Sequence, residues 1–160
     1  MRLKKFFVFA VLLVFLCVAI LFWWNKSNDP SVEAAEDEIA LRIKLDTKED
    51  FGLLLIDYKD ANGSGGRGGM SNANKTLLKQ DDQLFFTLPK QAFDNPCDVD
   101  TLSIQFTIIT EYVEPNFEEI YPEEYKIPID AISLKADFGE SYTITISGDR
   151  TNGYKAGFEE

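Results

Sequence analysis

The feature that most constrains this chain is an unbroken run of 19 apolar residues at positions 6–24. At ~1.5 Å of rise per helical residue the run reaches ~28 Å, close to the ~30 Å hydrocarbon thickness of a bilayer. A secretory signal has a shorter apolar stretch of roughly 7–15 residues with a cleavage site close behind it. This run ends in Phe22, Trp23 and Trp24, aromatic residues typical of a membrane interface. The sequence therefore predicts an uncleaved transmembrane signal anchor at residues 6–24.

The charges on either side of the run predict its orientation. Three basic residues lie within residues 1–5, whereas residues 25–38 hold one lysine and five acidic residues. By the positive-inside rule, residues 1–5 form a cytoplasmic n-region and the rest of the chain is exported from a single-pass anchor. The alternative is a secreted domain released by cleavage near Ala34, where residues 32–34 form the nearest cleavage sequence.

The exported part divides into a tether and a domain. Residues 25–37 are polar and acidic and lack sustained periodicity, which is typical of a tether, and residues 38–160 follow as one domain. After position 5, acidic side chains outnumber basic ones by 27 to 13. Nucleic acids and anionic lipid heads bind clusters of Lys and Arg, so this excess argues against both as partners. The chain has no histidine, which removes the commonest general base and the usual zinc ligand.

Alternation of apolar and polar residues dominates the exported domain and predicts β-strands. The predicted strands cover residues 38–45, 51–58, 84–88, 101–113, 125–129, 132–136, 142–147 and 154–158, the stretch 101–113 being the longest. Pro128 restricts its strand to an edge or a bulge. Six to eight strands with frequent turns and no convincing soluble helix predict an all-β domain, a single antiparallel β-sandwich of immunoglobulin-like architecture. A true immunoglobulin domain is not indicated, because the domain lacks the Cys…Trp…Cys pattern.

Residues 62–69 contain five of the ten glycines. A phosphate-binding loop would end in Lys followed by Ser or Thr and open a helix, and neither signature follows here. We therefore interpret this segment as part of a flexible connection between Lys59 and Leu77, with glycines that permit close approach of a partner.

Acidic side chains cluster in the loop before the predicted strand 101–113. Asp94, Asp98 and Asp100 lie within seven residues and can supply several of the six to eight oxygens that calcium needs. The spacing does not match an EF-hand loop. The competing interpretation is that Asp94 only forms and caps a turn beside Asn95. Calcium is thus a possible ligand at Asp94, Asp98 and Asp100, and no other cofactor is predicted.

Residues 111–124 contain six glutamates and no basic residue, interleaved with aromatic rings. Exposed rings flanked by carboxylates can bind a cationic peptide, a cation or a sugar face. The candidate partner-binding residues are Tyr112, Phe117, Tyr121 and Tyr125. The competing interpretation is a solvated crossover between two sheets whose rings pack at the edge of the core, and burial of Phe117 and Tyr121 would favour it.

Together these features predict a membrane-anchored exported protein whose acidic β-sandwich is a non-enzymatic binding or accessory module for an unknown protein or glycan. The alternative is a calcium-stabilised structural protein of the cell envelope. A small hydrolase that uses two carboxylates is the third possibility, and it predicts a deep cleft with carboxylates of perturbed pKa.

Overall fold

The alternation that begins at Glu38 becomes β1, the longest strand of the computed structural model, which describes residues 33–94, 101–111 and 121–159. The described residues belong to one compact unit and are largely β-sheet. In chain order the described strands are β1 (Glu38–Thr47), β2 (Leu53–Lys59), β3 (Gly65–Met70), β4 (Gln83–Pro89), β5 (Leu102–Ile109), β6 (Lys126–Pro128), β7 (Ile132–Leu134), β8 (Ser141–Asp149) and β9 (Gly153–Phe158). Single turns of 3-10 helix cover Lys90–Ala92 and Glu123–Tyr125.

The strands form two sheets, which confirms the all-β sandwich predicted from the sequence. Sheet A has the order β4-β1-β8-β9, and sheet B has the order β3-β2-β5-β6 with β7 also paired to β5. The prediction of purely antiparallel sheets is wrong at one pair, because β1 and β8 run parallel. The reason is that the chain returns from sheet B beside the start of β1, where the Gly139 amide donates to Glu38 O at 2.8 Å, and β8 then follows the direction of β1.

The core lies between the inward faces of the sheets and is formed by the residues that alternate in the sequence. The fully buried side chains include Ile39, Leu41, Ile43 and Leu45 of β1 and Leu102, Ile104, Phe106 and Ile108 of β5. Each contributes about 1.5–3 kcal/mol through removal of apolar surface from water. At one end of the sandwich Phe51 forms an isolated bridge with Leu78, and both side chains are buried.

The glycine-rich segment is a strand and not a flexible connection, so that prediction is wrong for β3 (Gly65–Met70). The rings of Tyr58 and Phe86 explain why glycine is required there. A Cβ at Gly68 would lie within 2.6 Å of two Phe86 ring atoms, and a Cβ at Gly66 would lie 2.8 Å from the Tyr58 hydroxyl. The aromatic rings therefore occupy the space that side chains of β3 would fill.

The other predicted strands are present with shifted ends. The strand expected at residues 101–113 stops at Ile109, just before the Thr110 amide donates to Tyr125 O at 2.9 Å beside the 3-10 turn Glu123–Tyr125. β5 has eight residues against ten for β1, so the expectation that it is the longest strand is wrong for the described residues. Pro128 ends β6, which lies at an edge of sheet B as predicted.

The chain reaches the sandwich at the end where β1 begins, which we call the N-terminal end. There the Ala34 amide donates to Ser141 Oγ at 3.3 Å, and the Lys90 amide donates to Asp37 O at 2.8 Å. Within the described residues, no helix is long and apolar enough to cross a membrane. The predicted anchor at residues 6–24 lies outside the described part of the chain.

Candidate ligand-binding face

The solvent side of sheet A carries two rows of side chains that run across its strands. Strand register places Phe85, Arg42 and Thr143 side by side, and the row continues to Glu159, whose amide donates to Thr143 O at 3.2 Å. The neighbouring row consists of Gln83, Lys44, Thr145 and Gly157. We call this surface the outer face of sheet A. Four strands at a spacing of ~4.8 Å give it a width of ~14 Å.

Hydrogen bonds hold the polar side chains of the outer face in fixed positions. Arg42 donates from Nε to Gln83 Oε1 at 3.0 Å and also reaches that oxygen through Nη2. Lys44 Nζ lies 2.6 Å from Glu159 Oε2, and Thr145 Oγ1 donates to Glu159 Oε1 at 2.9 Å. The bonds from Lys44 and Thr145 hold the pKa of Glu159 below its ordinary value. The outer face is therefore an ordered array of donors and acceptors.

Within the described residues, two phenylalanine rings are exposed at the surface. Phe85 is 37% exposed on the outer face, next to Arg42. Phe158 is 38% exposed and lines a shallow groove that borders the outer face and also contains Leu134, Tyr142, Thr143 and Glu159. Both rings are large, and only Phe85 lies within the hydrogen-bonded rows.

A second polar cluster joins the loop after β1 to the hairpin between β8 and β9. Asp149 is only 5% exposed and accepts hydrogen bonds from Lys48 Nζ at 2.6 Å and from the Asn152 amide at 2.7 Å. These bonds, with that of Lys48 the largest, hold the pKa of Asp149 well below its usual range. Every bond in this cluster closes a turn or joins two chain segments, which indicates a structural role.

The predicted calcium ligands are described only in part. Asp94 is exposed, and its amide donates to Ser64 Oγ at 2.8 Å, which attaches the start of the acidic loop to the turn between β2 and β3. Asp98 and Asp100 lie outside the described residues. Over residues 33–94, 101–111 and 121–159, no group of three or more Cys, Asp or Glu side chains is placed to hold a metal.

The predicted aromatic partner-binding residues are also divided. Tyr121 is buried at 8% exposure, and Tyr125 is half-buried at the end of a 3-10 turn. Tyr112 and Phe117 lie outside the described residues. Neither Tyr121 nor Tyr125 is exposed, so these two rings do not form an exposed aromatic surface. The role of this segment in partner binding stays a prediction.

The sequence did not single out the residues of the outer face. Phe85 and Phe86 are adjacent aromatics in one strand, and the alternation of β4 alone does not say which ring faces solvent. Arg42 and Lys44 occupy polar positions of the predicted strand at residues 38–45, and the sequence alone does not mark them as a binding site. Their grouping with Glu159 depends on the parallel pairing of β1 with β8, which brings residues more than 100 positions apart together.

No protein-family model and no curated protein sequence matches the chain. Among solved structures, an NMR structure of a protein from Eubacterium rectale is similar over 81% of this chain and 96% of that chain, at 11% identity and a TM-score of 0.42. The membrane-binding domain of pneumolysin is similar over 77% of this chain and 96% of its own, at 10% identity and a TM-score of 0.37. In a structure of intermedilysin with human CD59, the similarity covers 76% of this chain and 24% of that one, at 10% identity and a TM-score of 0.38. Similarity at these TM-scores does not establish a shared function.

Proposed function

We propose that this chain is a membrane-anchored exported protein whose acidic β-sandwich is a non-enzymatic binding module, with the outer face of sheet A as its ligand-binding surface. Residues 6–24 are the anchor in this proposal, and the N-terminus remains in the cytoplasm. The immunoglobulin-like arrangement of the sandwich belongs to the proposal as well.

One observation supports this function above the others: an exposed aromatic ring stands in a row of hydrogen-bonded polar side chains. Phe85 offers an apolar contact, while Arg42, Lys44 and Glu159 offer donors and acceptors at fixed positions. Side chains that are already held in place lose little conformational entropy on binding. A sugar has apolar ring faces and a periphery of hydroxyl groups, so a glycan is the ligand class that this surface fits best.

The test is binding of the full chain, purified in detergent, to an array of cell-surface glycans that also carries cationic peptides. The expected result is selective binding to glycans that weakens at least about tenfold in Phe85→Ala and in Arg42→Ala. Gln105→Ala is the control, because Gln105 is exposed on β5 of the other sheet, away from the outer face. Equal binding by Phe85→Ala and the wild type would rule out the outer face as the binding surface.

Export of the domain is tested separately. Thr143→Cys in a Cys17→Ser, Cys97→Ser background introduces a single thiol on the outer face. A membrane-impermeant maleimide should label this thiol in intact spheroplasts as fully as in lysed cells. Labelling that requires lysis would show that the domain faces the cytoplasm.

A further inference from the structure

The shallow groove that borders the outer face lies where the sandwich is open at one side. It holds about 450 Å³, and its lining comes from both sheets. Leu134 belongs to β7 of sheet B, whereas Tyr142 and Phe158 belong to β8 and to the edge strand β9 of sheet A. The groove reaches the N-terminal end, since its lining includes Ser141, whose Oγ accepts a hydrogen bond from the Ala34 amide.

The groove and the outer face share two residues. Thr143 and Glu159 line the groove and also end the first row of the outer face, where the Glu159 amide donates to Thr143 O at 3.2 Å. The Glu159 carboxylate is held on the outer-face side by Lys44 at 2.6 Å and by Thr145 at 2.9 Å. A ligand that lies along the row from Phe85 to Glu159 therefore reaches the groove without leaving the surface of the protein.

The groove repeats the chemistry of the outer face. Its aromatic ring is that of Phe158, which is 38% exposed. The Tyr142 hydroxyl accepts a hydrogen bond of 2.9 Å from the Asp137 amide, which holds a second ring in position. Lys135 is exposed and makes no ion pair with the described residues, so its ammonium group can donate hydrogen bonds to a ligand. An apolar ring beside hydrogen-bond donors suits a further sugar residue.

We propose that this groove is a second subsite of the outer face and that the ligand is a linear glycan long enough to occupy both. One part of the glycan lies along the row from Phe85 to Glu159, and the next sugar residue contacts Phe158 beside Lys135. This inference rests on the proposed function, because both subsites bind one ligand. Phe85 and Phe158 belong to opposite edge strands of sheet A, separated by ~14 Å across four strands. A short ligand therefore contacts one ring, whereas a longer one contacts both.

The test is the length dependence of binding by the full chain in detergent. The probes are linear oligosaccharides of glucose, of N-acetylglucosamine, of galactose and of mannose, each from disaccharide to hexasaccharide. In the series that binds best, Kd should fall at least about tenfold with length, because contacts at the second subsite become intramolecular once the first is occupied. Phe158→Ala should remove this gain and leave disaccharide binding unchanged. Phe85→Ala should weaken binding at every length, and Gln105→Ala on sheet B should change nothing.

The outcomes separate this inference from the proposed function. Binding that does not strengthen with length, or a gain with length that persists in Phe158→Ala, would overturn the second subsite and leave the outer face in place. No binding to any series would contradict the proposed function and the inference together. Lys135→Ala is a second variant that changes only an exposed side chain of the groove. It should weaken hexasaccharide binding and spare the disaccharide, and equal Kd values for Lys135→Ala and the wild type at every length would also count against the second subsite.

Discussion

The Tyr154 hydroxyl donates a hydrogen bond of 2.7 Å to Glu49 Oε2 and so joins β9 to the loop between β1 and β2. The same carboxylate oxygen accepts from the Arg150 amide at 3.0 Å. Burial and the bond to the Glu49 carboxylate raise the pKa of Tyr154 to about 12. The end of the sandwich opposite the N-terminal end is thus closed by contacts between segments about 100 residues apart in sequence.

Ionisation of the Tyr154 hydroxyl at alkaline pH should remove this hydrogen bond and destabilise the domain. Because the pKa of Tyr154 is raised in the folded state, its contribution is fully present below pH 10 and is lost as the pH rises towards 12. Tyr154→Phe should cost about 1–2 kcal/mol at pH 8 and should flatten the fall of the melting temperature between pH 9 and pH 11.5. Circular dichroism melts across this range provide the measurement, and identical pH profiles for the two proteins would contradict the prediction.

The Asp149 carboxylate should make the domain acid-sensitive. Its pKa is depressed in the folded state, mainly by the bond from Lys48, so its stabilising contribution is present above the ordinary value of 3.8 and is lost at lower pH. Asp149→Asn should therefore be less stable than the wild type at pH 7, and the two should converge as the pH falls below about 4. Urea unfolding at several pH values measures this. A constant difference between the two proteins down to pH 2 would be incompatible with the proposed linkage.

A methyl group on the inward face of β3 should destabilise the sandwich. Gly68→Ala places a Cβ 2.4 Å from the Phe86 ring, and overpacking of this kind costs about 1–3 kcal/mol. Gly157→Ala is the control, because a Cβ there meets nothing within 4 Å. The double variant with Phe86→Leu should recover part of the loss, as measured by urea unfolding. Equal stabilities for the two single variants would show that the ring does not pack against β3.

Truncation of a buried and of an exposed phenylalanine should cost very different amounts of folding stability. Phe106 is fully buried in β5, so Phe106→Ala should cost about 3–5 kcal/mol. Phe85→Ala removes a partly exposed ring and should cost under about 1 kcal/mol, which keeps the outer-face variant folded. Denaturant unfolding of both variants measures whether Phe106→Ala loses more stability than Phe85→Ala. A large loss of stability in Phe85→Ala would mean that this ring belongs to the core.

The sequence predicted those strands that have one apolar face and one solvent-exposed polar face. β1 and β8 show this alternation clearly, and their inward residues form the core as expected. β3 could not be predicted in this way, since four of its six residues are glycines and the groups that fill its inward face belong to Tyr58 and Phe86. This segment forms a strand because of its tertiary packing, and not because of a local alternation of apolar and polar residues.

The candidate sites were harder to predict from the sequence than the strands. The sequence predicts calcium ligands at Asp94, Asp98 and Asp100, and this stays a prediction because Asp98 and Asp100 lie outside the described residues. The outer face was missed for a different reason. Its rows combine β4, β1, β8 and the residue after β9, and the parallel pairing that unites them was not expected.

Photo-crosslinking in cells tests ligand binding at the outer face most directly. A photoreactive benzoylphenylalanine replaces Phe85 in one full-length protein and Gln105, which is exposed on β5 of sheet B, in another. Binding at the outer face predicts a discrete adduct from position 85 that is absent from position 105 and is reduced by Arg42→Ala. No adduct from position 85, or the same adduct from both positions, would contradict the proposed binding surface.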